Sequence, residues 1–299
     1  MRIFVTGATG FIGSAIVQEL LAYGHTVLGL ARSDASEEKL QAAGAEALRG
    51  DLQDLDALRK GAETSDAVIH AGFVHDFSRF AEACTIDRVA IETLGAAIAQ
   101  TGKPMIVTAG VAFLNSADAV TVEMDQAFPP TDIYPRASEQ TARALTERGI
   151  PVGVVRLPPS VHGEGDHAFV PMLIDMARRT GRSAYIDEGT NAWSAVHVKD
   201  AAACFRLAIE QSQTSETWHA VTEEAIPFRH IAELIGERLN LPSVSLSPAE
   251  AQQHFDWFFP FASIDQPTSS EITRRKLGWQ PIEPDLLTDM RHAGYFEAS

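Results

Sequence analysis

Cysteine is nearly absent from this chain of 299 residues: only Cys84 and Cys204 occur, both in segments that read as helices and neither in a CxxC pair or a Cys/His cluster. A disulfide scaffold is thereby excluded, and two buried free thiols in a reducing compartment are expected. Positive charge is short as well, with 24 Lys and Arg against 40 Asp and Glu, a formal net charge of −16 and a pI near 5.0. The acidic residues are scattered and form no block, which fits a solvated surface and argues against nucleic acid as a partner. No run reaches the length of a membrane span, and the first residues lead into an apolar strand with no signal-peptide layout. A cytoplasmic protein without a membrane partner is therefore expected. There is no internal repeat and no low-complexity linker.

What the chain does carry is glycine at three places near its start. Ile3 to Val5 read as a short apolar strand, Thr6-Gly7-Ala8-Thr9-Gly10-Phe11-Ile12-Gly13 follows, and Ile16 and Leu20 continue at helical spacing. Gly7 permits a tight turn, Gly10 lets a phosphate approach the backbone, and Gly13 lets the helix pack closely on the strand. The helix N-terminus meanwhile presents unpaired N–H groups to an anion. Strand, turn and helix in this order point to a pyrophosphate-binding turn rather than a glycine turn without a ligand.

The alternation of apolar run, glycine or aspartate, then helix repeats several times, the βαβ pattern of a parallel sheet in an α/β protein. Strands are expected at Thr26–Leu30, Ala45–Arg49, Ala67–His70, Met105–Thr108 and Val152–Arg156, with helices near Ser36–Ala43, Leu52–Lys60, Ser78–Gln100 and Arg136–Arg148. Past about Pro158 the alternation weakens. A helix near Val170–Arg179, strands near Ala184–Ile186 and Ala195–Val198, and helices near Lys199–Gln211 and Phe228–Leu239 suggest a smaller lobe folded over the sheet edge. The aromatic stretch Ser247–Ala262 reads first as core packing of that lobe, with a lid, a substrate wall or a dimer contact as alternatives.

The end of the second strand bears on which dinucleotide fits. An acidic residue there accepts the ribose hydroxyls of NAD, whereas an NADP site avoids that charge and supplies arginine for the 2′-phosphate. Here Ala31 stands at the acidic place and Arg32-Ser33 follow, so NADP is expected, with NAD the lesser alternative. Arg32 as a solvated loop residue and Asp34 as a ribose partner remain open. Asp51-Leu52 and His70-Ala71-Gly72 lie where the adenine and the diphosphate-ribose should pass, helix capping by Asp51 and sheet-end packing by the others being the alternatives.

Several segments together resemble an extended short-chain dehydrogenase/reductase of the NAD-dependent epimerase/dehydratase group. They are the opening glycine turn, Gly50-Asp51-Leu52, Val68-Ile69-His70-Ala71, Arg156-Leu157-Pro158-Pro159-Ser160-Val161-His162-Gly163, Val196-His197-Val198-Lys199-Asp200-Ala201-Ala202, and Ser270 with Lys276-Leu277-Gly278-Trp279-Gln280-Pro281. The resemblance implies a Rossmann-type doubly wound parallel sheet over residues 1–157 and a mainly substrate-binding lobe over 158–299, some of whose segments return to the sheet. It also implies a nicotinamide cofactor across the strand ends, touched by Pro158, Ser160 and Val161 among others, and a homodimer.

The catalytic signature departs from the family. Family enzymes use a tyrosine, a lysine four residues later that lowers the phenol pKa, and an upstream serine or threonine. Tyr134 matches, but Ser138 stands where lysine is expected, and Val107-Thr108-Ala109-Gly110 places Gly110 where the serine would fall, with Thr108 the nearest hydroxyl. A phenol without a neighbouring ammonium should stay near about 10, a poor base at neutral pH. Tyr134, Thr108 and Ser138 are therefore the catalytic candidates of an atypical member, with Arg136 and Ser138 as candidates to orient the tyrosine or the substrate. His75, Asp76, Asp87, His162 and His167, with Glu164 and Asp166 nearby, are candidates for the substrate pocket, since histidine can move a proton without help from lysine. Their spacing matches no compact metal motif, and no metal is expected. The leading expectation is an NADP(H)-preferring oxidoreductase of a small carbonyl or alcohol. A sugar-nucleotide epimerase or dehydratase and a non-catalytic NADP(H) redox sensor are the alternatives.

Overall fold

The computed structural model describes residues 1–299 apart from 113, 117, 133, 212–214, 293 and 298–299, and of Phe77 it describes the backbone alone. The first half runs β1 (Arg2–Thr6), α1 (Phe11–Ala22), β2 (Thr26–Ala31), α2 (Asp34–Ala42), β3 (Glu46–Arg49), α3 (Leu55–Glu63), β4 (Ala67–His70), α4 (Phe80–Ile98), β5 (Met105–Gly110), a hairpin of β6 (Leu114–Asn115) and β7 (Gln126–Ala127), α5 (Ser138–Glu147) and β8 (Val152–Leu157). The second half runs β9 (Ser160–His162), α6 (Phe169–Thr180), β10 (Ser183–Ile186), β11 (Ala192–His197), α7 (Val198–Glu210), β12 (Thr217–His219), β13 (Glu223–Pro227), α8 (Phe228–Leu239), β14 (Ser243–Leu246), α9 (Pro248–Phe255), α10 (Phe259–Ala262), α11 (Glu271–Leu277) and α12 (Leu286–His292).

Seven strands form one parallel sheet in the order β12-β8-β5-β4-β1-β2-β3, a Rossmann-type doubly wound fold. The chain reverses direction across the sheet between β1 and β4, so a crevice opens at their C-terminal ends, the place where ligands of such sheets bind. Thr6 and His70 face each other there as register partners. The strands read as near-continuous apolar runs because helices cover both faces, with Ile3, Phe4, Val5, Val68 and Ile69 fully buried.

Two expected boundaries move for local reasons. The helix expected from Leu52 begins at Leu55, because Asp51 accepts from the amides of Gln53 and Asp54 in a side-chain turn and Asp54 caps α3 through the amide of Ala57. The helix expected from Ser78 begins at Phe80, after a short 3₁₀ turn capped by Asp76.

Residues after 157 do not all join the lobe. β12 pairs with β8 on the large sheet, α7 packs against α1, and Trp218 and Trp279 share a core with Ile3 and Leu20. The lobe itself is built on a second core around Trp193, Phe228, Phe255 and Phe258. Phe169 and Phe258 stand at 5.0 Å between ring centroids, as do Trp193 and Phe228, so the aromatic stretch is mainly core, with Trp257 left exposed. Cys84 and Cys204 are buried free thiols. No helix among the described residues is long and apolar enough to cross a membrane.

A buried ion pair ties α5 to β8. Arg156, fully buried, donates from Nε and Nη2 to the two carboxylate oxygens of Glu139 at 2.8 and 2.6 Å. Its Nη1 lies 3.0 Å from His219 Nε2, and His219 Nδ1 lies 2.8 Å from the carbonyl of Ser269. Arginine can only donate, so His219 is neutral with its proton on Nδ1. Burial, reinforced by the Arg156 charge, pulls its pKa down to about 3.

Candidate active site

The glycine turn after β1 is shaped by backbone contact. Gly7 has φ +67°, and a Cβ there would fall 2.7 Å from atoms of Ala71 and Gly72. A Cβ on Gly13 would lie 1.9 Å from the Gly7 carbonyl oxygen, so α1 can approach β1 only with glycine at that place. Gly10 differs: its Cβ would meet only that carbonyl oxygen, at 3.2 Å. It is the N-cap of α1 and offers no side-chain cap, which leaves the first amides of the helix, at Phe11, Ile12 and Gly13, to an external acceptor. Thr9 is half-buried beside it. Leu52 packs toward Gly72, whose Cβ would lie 3.1 Å from the Leu52 side chain.

At the far end of β2, Ala31 is buried and pairs in register with Arg49 of β3. Arg49 holds Asp34 at 2.6 Å, so the alternative ribose acceptor is already engaged. Ser33 caps α2 by accepting from the amide of Ser36. Arg32 is exposed and joins no ion pair among the described residues. On the other side of the crevice Pro158 and Val161 are buried, and the buried Ser160 hydroxyl has no hydrogen-bond partner among the described residues.

Beneath the crevice runs a continuous polar chain. The Gly72 amide donates to Thr6 Oγ1 at 3.2 Å, and Thr6 Oγ1 lies 2.8 Å from His70 Nδ1. His70 Nε2 stands 3.1 Å from Asp87 Oδ1. Ser138 donates to Asp87 Oδ2 at 2.6 Å, and Arg136 Nε donates to Ser138 Oγ at 3.0 Å. An ionised Asp87 only accepts, so His70 carries its proton on Nε2 and accepts from the Thr6 hydroxyl through Nδ1. Burial pushes the Asp87 carboxyl up, but the hydrogen bond from His70, with the Arg136 charge and the Ser138 hydrogen bond, outweighs it and holds the group below its usual value.

Arg136 leads from this chain into the cleft. Its guanidinium also reaches the carbonyl of Thr108 at 3.4 Å and lies over the Phe73 ring at 4.8 Å. Phe73 packs against His75 and Phe80, and Phe80 against Tyr134 at 5.8 Å. Tyr134 is presented by a turn in which its amide donates to Thr131 Oγ1. Burial pushes its phenol above the usual value, against the opposing charge and hydrogen bond of Arg136. His75 keeps an exposed edge, yet desolvation, helped by the charges of Arg136 and His167, lowers its pKa.

Several expected site residues stand elsewhere or serve differently. Ser138 is buried and faces Asp87, so it supports Arg136 and does not reach the cleft. Thr108 donates its hydroxyl proton to the His70 carbonyl at 2.9 Å, which leaves it an acceptor. Asp87 is a buried link of the polar chain and no part of the pocket wall. Asp76 caps the turn before α4 through Ser78 and faces solvent. His162 is fully buried, so it lines no open cleft. The chain stays in strand β9 through position 162, where the ring pairs with Asp289 at 2.8 Å and packs edge-on against His197. His167 is exposed and sits edge-on to Phe11 at 6.0 Å, beside the glycine turn. Phe73 and Phe80 were not among the expected site residues; their sequence signal is two aromatics in the segment between β4 and α4. Among the described residues no group of three or more His, Cys, Asp or Glu could hold a metal ion.

The model of the NAD dependent epimerase/dehydratase family matches residues 3–221. The uncharacterised protein C2A9.02 of Schizosaccharomyces pombe is 47% identical over 296 residues, 99% of this chain and 100% of that protein. The 4-hydroxy-2-methyl-3-oxo-4-farnesyl-3,4-dihydroquinoline-1-oxide ketoreductase of Stigmatella aurantiaca is 27% identical over 265 residues, 85% of this chain and 79% of that protein. Among solved structures, MoeE5 in complex with UDP-glucose and NAD superposes with a TM-score of 0.75 at 23% identity, over 99% of this chain and 98% of that one.

Proposed function

Because the chain belongs to the NAD-dependent epimerase/dehydratase family, we propose that it is an NADP(H)-preferring oxidoreductase that reduces a small carbonyl compound, with Tyr134 as the proton donor. The turn fits a dinucleotide: the open α1 amides and the bare Gly10 offer a cradle that a side chain at position 10 would fill. Gly7, Thr9, Gly10, Phe11, Ile12 and Gly13 would hold the diphosphate. Leu52, Ala71 and Gly72 would floor it, with Asp51 and His70 beside them. Pro158, Ser160 and Val161 would border the nicotinamide end. Arg32, with Ala31 beside it and Asp34 engaged by Arg49, supports NADP.

When bound, the nicotinamide supplies the hydride. Reduction of a carbonyl then needs a proton at the developing alkoxide, and a neutral phenol can supply it. The observation that carries this reading is Tyr134, whose half-buried phenol stays protonated at neutral pH, raised above its usual value by desolvation, with the Arg136 guanidinium beside it. A base that accepts protons, as alcohol oxidation or epimerisation requires, is served poorly by such a phenol. Thr108 has no proton left for the substrate oxygen while it donates to the His70 carbonyl. Phe73, Phe80 and His75 would form the wall on which the substrate lies, and His167 would flank the turn.

Titration with NADPH and NADH, followed by a panel of carbonyl compounds read by nicotinamide absorbance, tests the assignment. Tighter NADPH binding and turnover of at least one carbonyl are expected. Tight binding with no turnover over a wide panel would instead favour a redox sensor, for which Ser138 in place of lysine speaks.

A further inference from the structure

Tyr134 lacks the ammonium that the family pattern puts four residues later, yet a cation still reaches its surroundings. Arg136 lies two residues on, and three contacts fix its guanidinium: Ser138 Oγ at 3.0 Å, the Thr108 carbonyl at 3.4 Å and the Phe73 ring at 4.8 Å. The same aromatic wall, Phe73 to Phe80 to Tyr134, carries the phenol. Resting on the oxidoreductase reading of the cleft, we propose that Arg136 supplies the positive charge beside Tyr134 that a lysine supplies in the family pattern. Ser138 and Asp87 are the positioning residues that keep it there.

The polarity of the hydrogen bonds supports this assignment. Arg136 can only donate, so Ser138 accepts from it and turns its own proton to Asp87 Oδ2 at 2.6 Å. Asp87 also accepts from His70, so both halves of the polar chain end on one buried carboxylate. That carboxylate balances the guanidinium through a single hydroxyl. A lysine at position 138 would place its ammonium against Asp87, whereas serine is short enough to relay the carboxylate to an arginine arriving from outside. The other end of the chain reaches Thr6 and Gly72, and a Cβ on Gly7 would strike Gly72 at 2.7 Å. The cation is therefore built on the same atoms that shape the glycine turn. Arginine stays charged across the working range, so it holds a charge at the phenol but moves no proton itself.

The test reads the phenol directly and needs no turnover. The charged or titratable groups acting on it are Arg136, Cys84 and Asp87. The chain has 4 tyrosines. In protein carrying difluorotyrosine, whose phenols ionise nearer neutrality, ¹⁹F NMR gives a separate titration for each, and Tyr134→Phe identifies the one in question. Arg136→Gln should raise the ionisation pH of that signal by about one to three pH units. Ser138→Ala should raise it less, in the same direction. Arg136→Lys, which keeps a cation at that place, should leave it near the unmodified value, an outcome that general loosening of the site would not produce. An unmoved signal in Arg136→Gln, or an equally large shift in Arg136→Lys, overturns the proposal. Should Arg136→Gln not fold, Ser138→Ala decides, and an unmoved signal there overturns the positioning role. A protein that reduces no carbonyl would remove the functional reading and leave this titration standing. A working reductase whose phenol ignores Arg136 would remove only the inference.

Discussion

Asp34 and Arg49 close on each other at 2.6 Å across the ends of β2 and β3, where a nucleotide's adenosine ribose would lie. The pair is exposed, so it adds little stability. It engages the Asp34 carboxylate near Ala31, while Arg32 is exposed and joins no ion pair among the described residues. Arg32→Ala is expected to weaken NADPH by about 1–3 kcal/mol and to leave NADH nearly unchanged. Calorimetric titration of both cofactors checks this, and equal affinities in the unmodified protein would sink it.

The three glycines of the turn should respond differently to substitution. Gly10→Val is expected to abolish dinucleotide binding in a folded protein, since its Cβ has only one contact, at 3.2 Å. Gly13→Ala places a methyl 1.9 Å from a backbone carbonyl and should destabilise the fold by about 1–3 kcal/mol or more. Thermal melts beside fluorescence binding separate the two. Undiminished binding in Gly10→Val would make the turn purely structural.

Carbonyl reduction should fall by about two to four orders of magnitude in Tyr134→Phe, the usual worth of a positioned acid. A donor must be protonated, and burial raises this phenol above its ordinary value. The rate should therefore be flat through neutral pH and decline only above about pH 10. Full activity in Tyr134→Phe, with loss in His75→Ala or His167→Ala, would move the acid to that histidine.

Glu139→Ala should cost about 3–5 kcal/mol, because it leaves the Arg156 charge buried and unpaired. Chemical denaturation measures it, and a loss below about 1 kcal/mol would show that solvent reaches the guanidinium.

His219 makes stability fall in acid. Its folded pKa of about 3 lies well below the ordinary 6.5, so the unfolded chain binds the proton first. The contribution is complete above about pH 6.5 and is lost as the pH falls toward 3, by up to about 1.4 kcal/mol per pH unit. His219→Gln should flatten that part of the stability curve. An unchanged slope between pH 6 and about 4 would count against it.

The parallel sheet and the glycine turn were legible from residue order because their causes are local. A positive φ at Gly7, the close approach of Gly13 and the apolar runs of β1, β4 and β8 each act within a few residues. The aromatic stretch after Ser247 was readable as core for the same reason. The ends of α3 and α4 were misplaced because Asp51, Asp54 and Asp76 each divert backbone amides into a turn, a choice that composition leaves open.

By itself the sequence determined that there is a strand-end crevice, that glycine shapes its floor, and that the lysine partner of Tyr134 is missing. Only the tertiary structure decided which polar side chains meet around it. Ser138 meets Asp87 across 51 positions and Asp87 meets His70 across 17, while His162 is drawn away to Asp289, 127 positions on. Such pairs depend on which side chains the packed layers bring within about 3 Å, where a buried polar group must find a partner or bear its desolvation. Local pattern names the candidates, and the closing of the sheet selects among them.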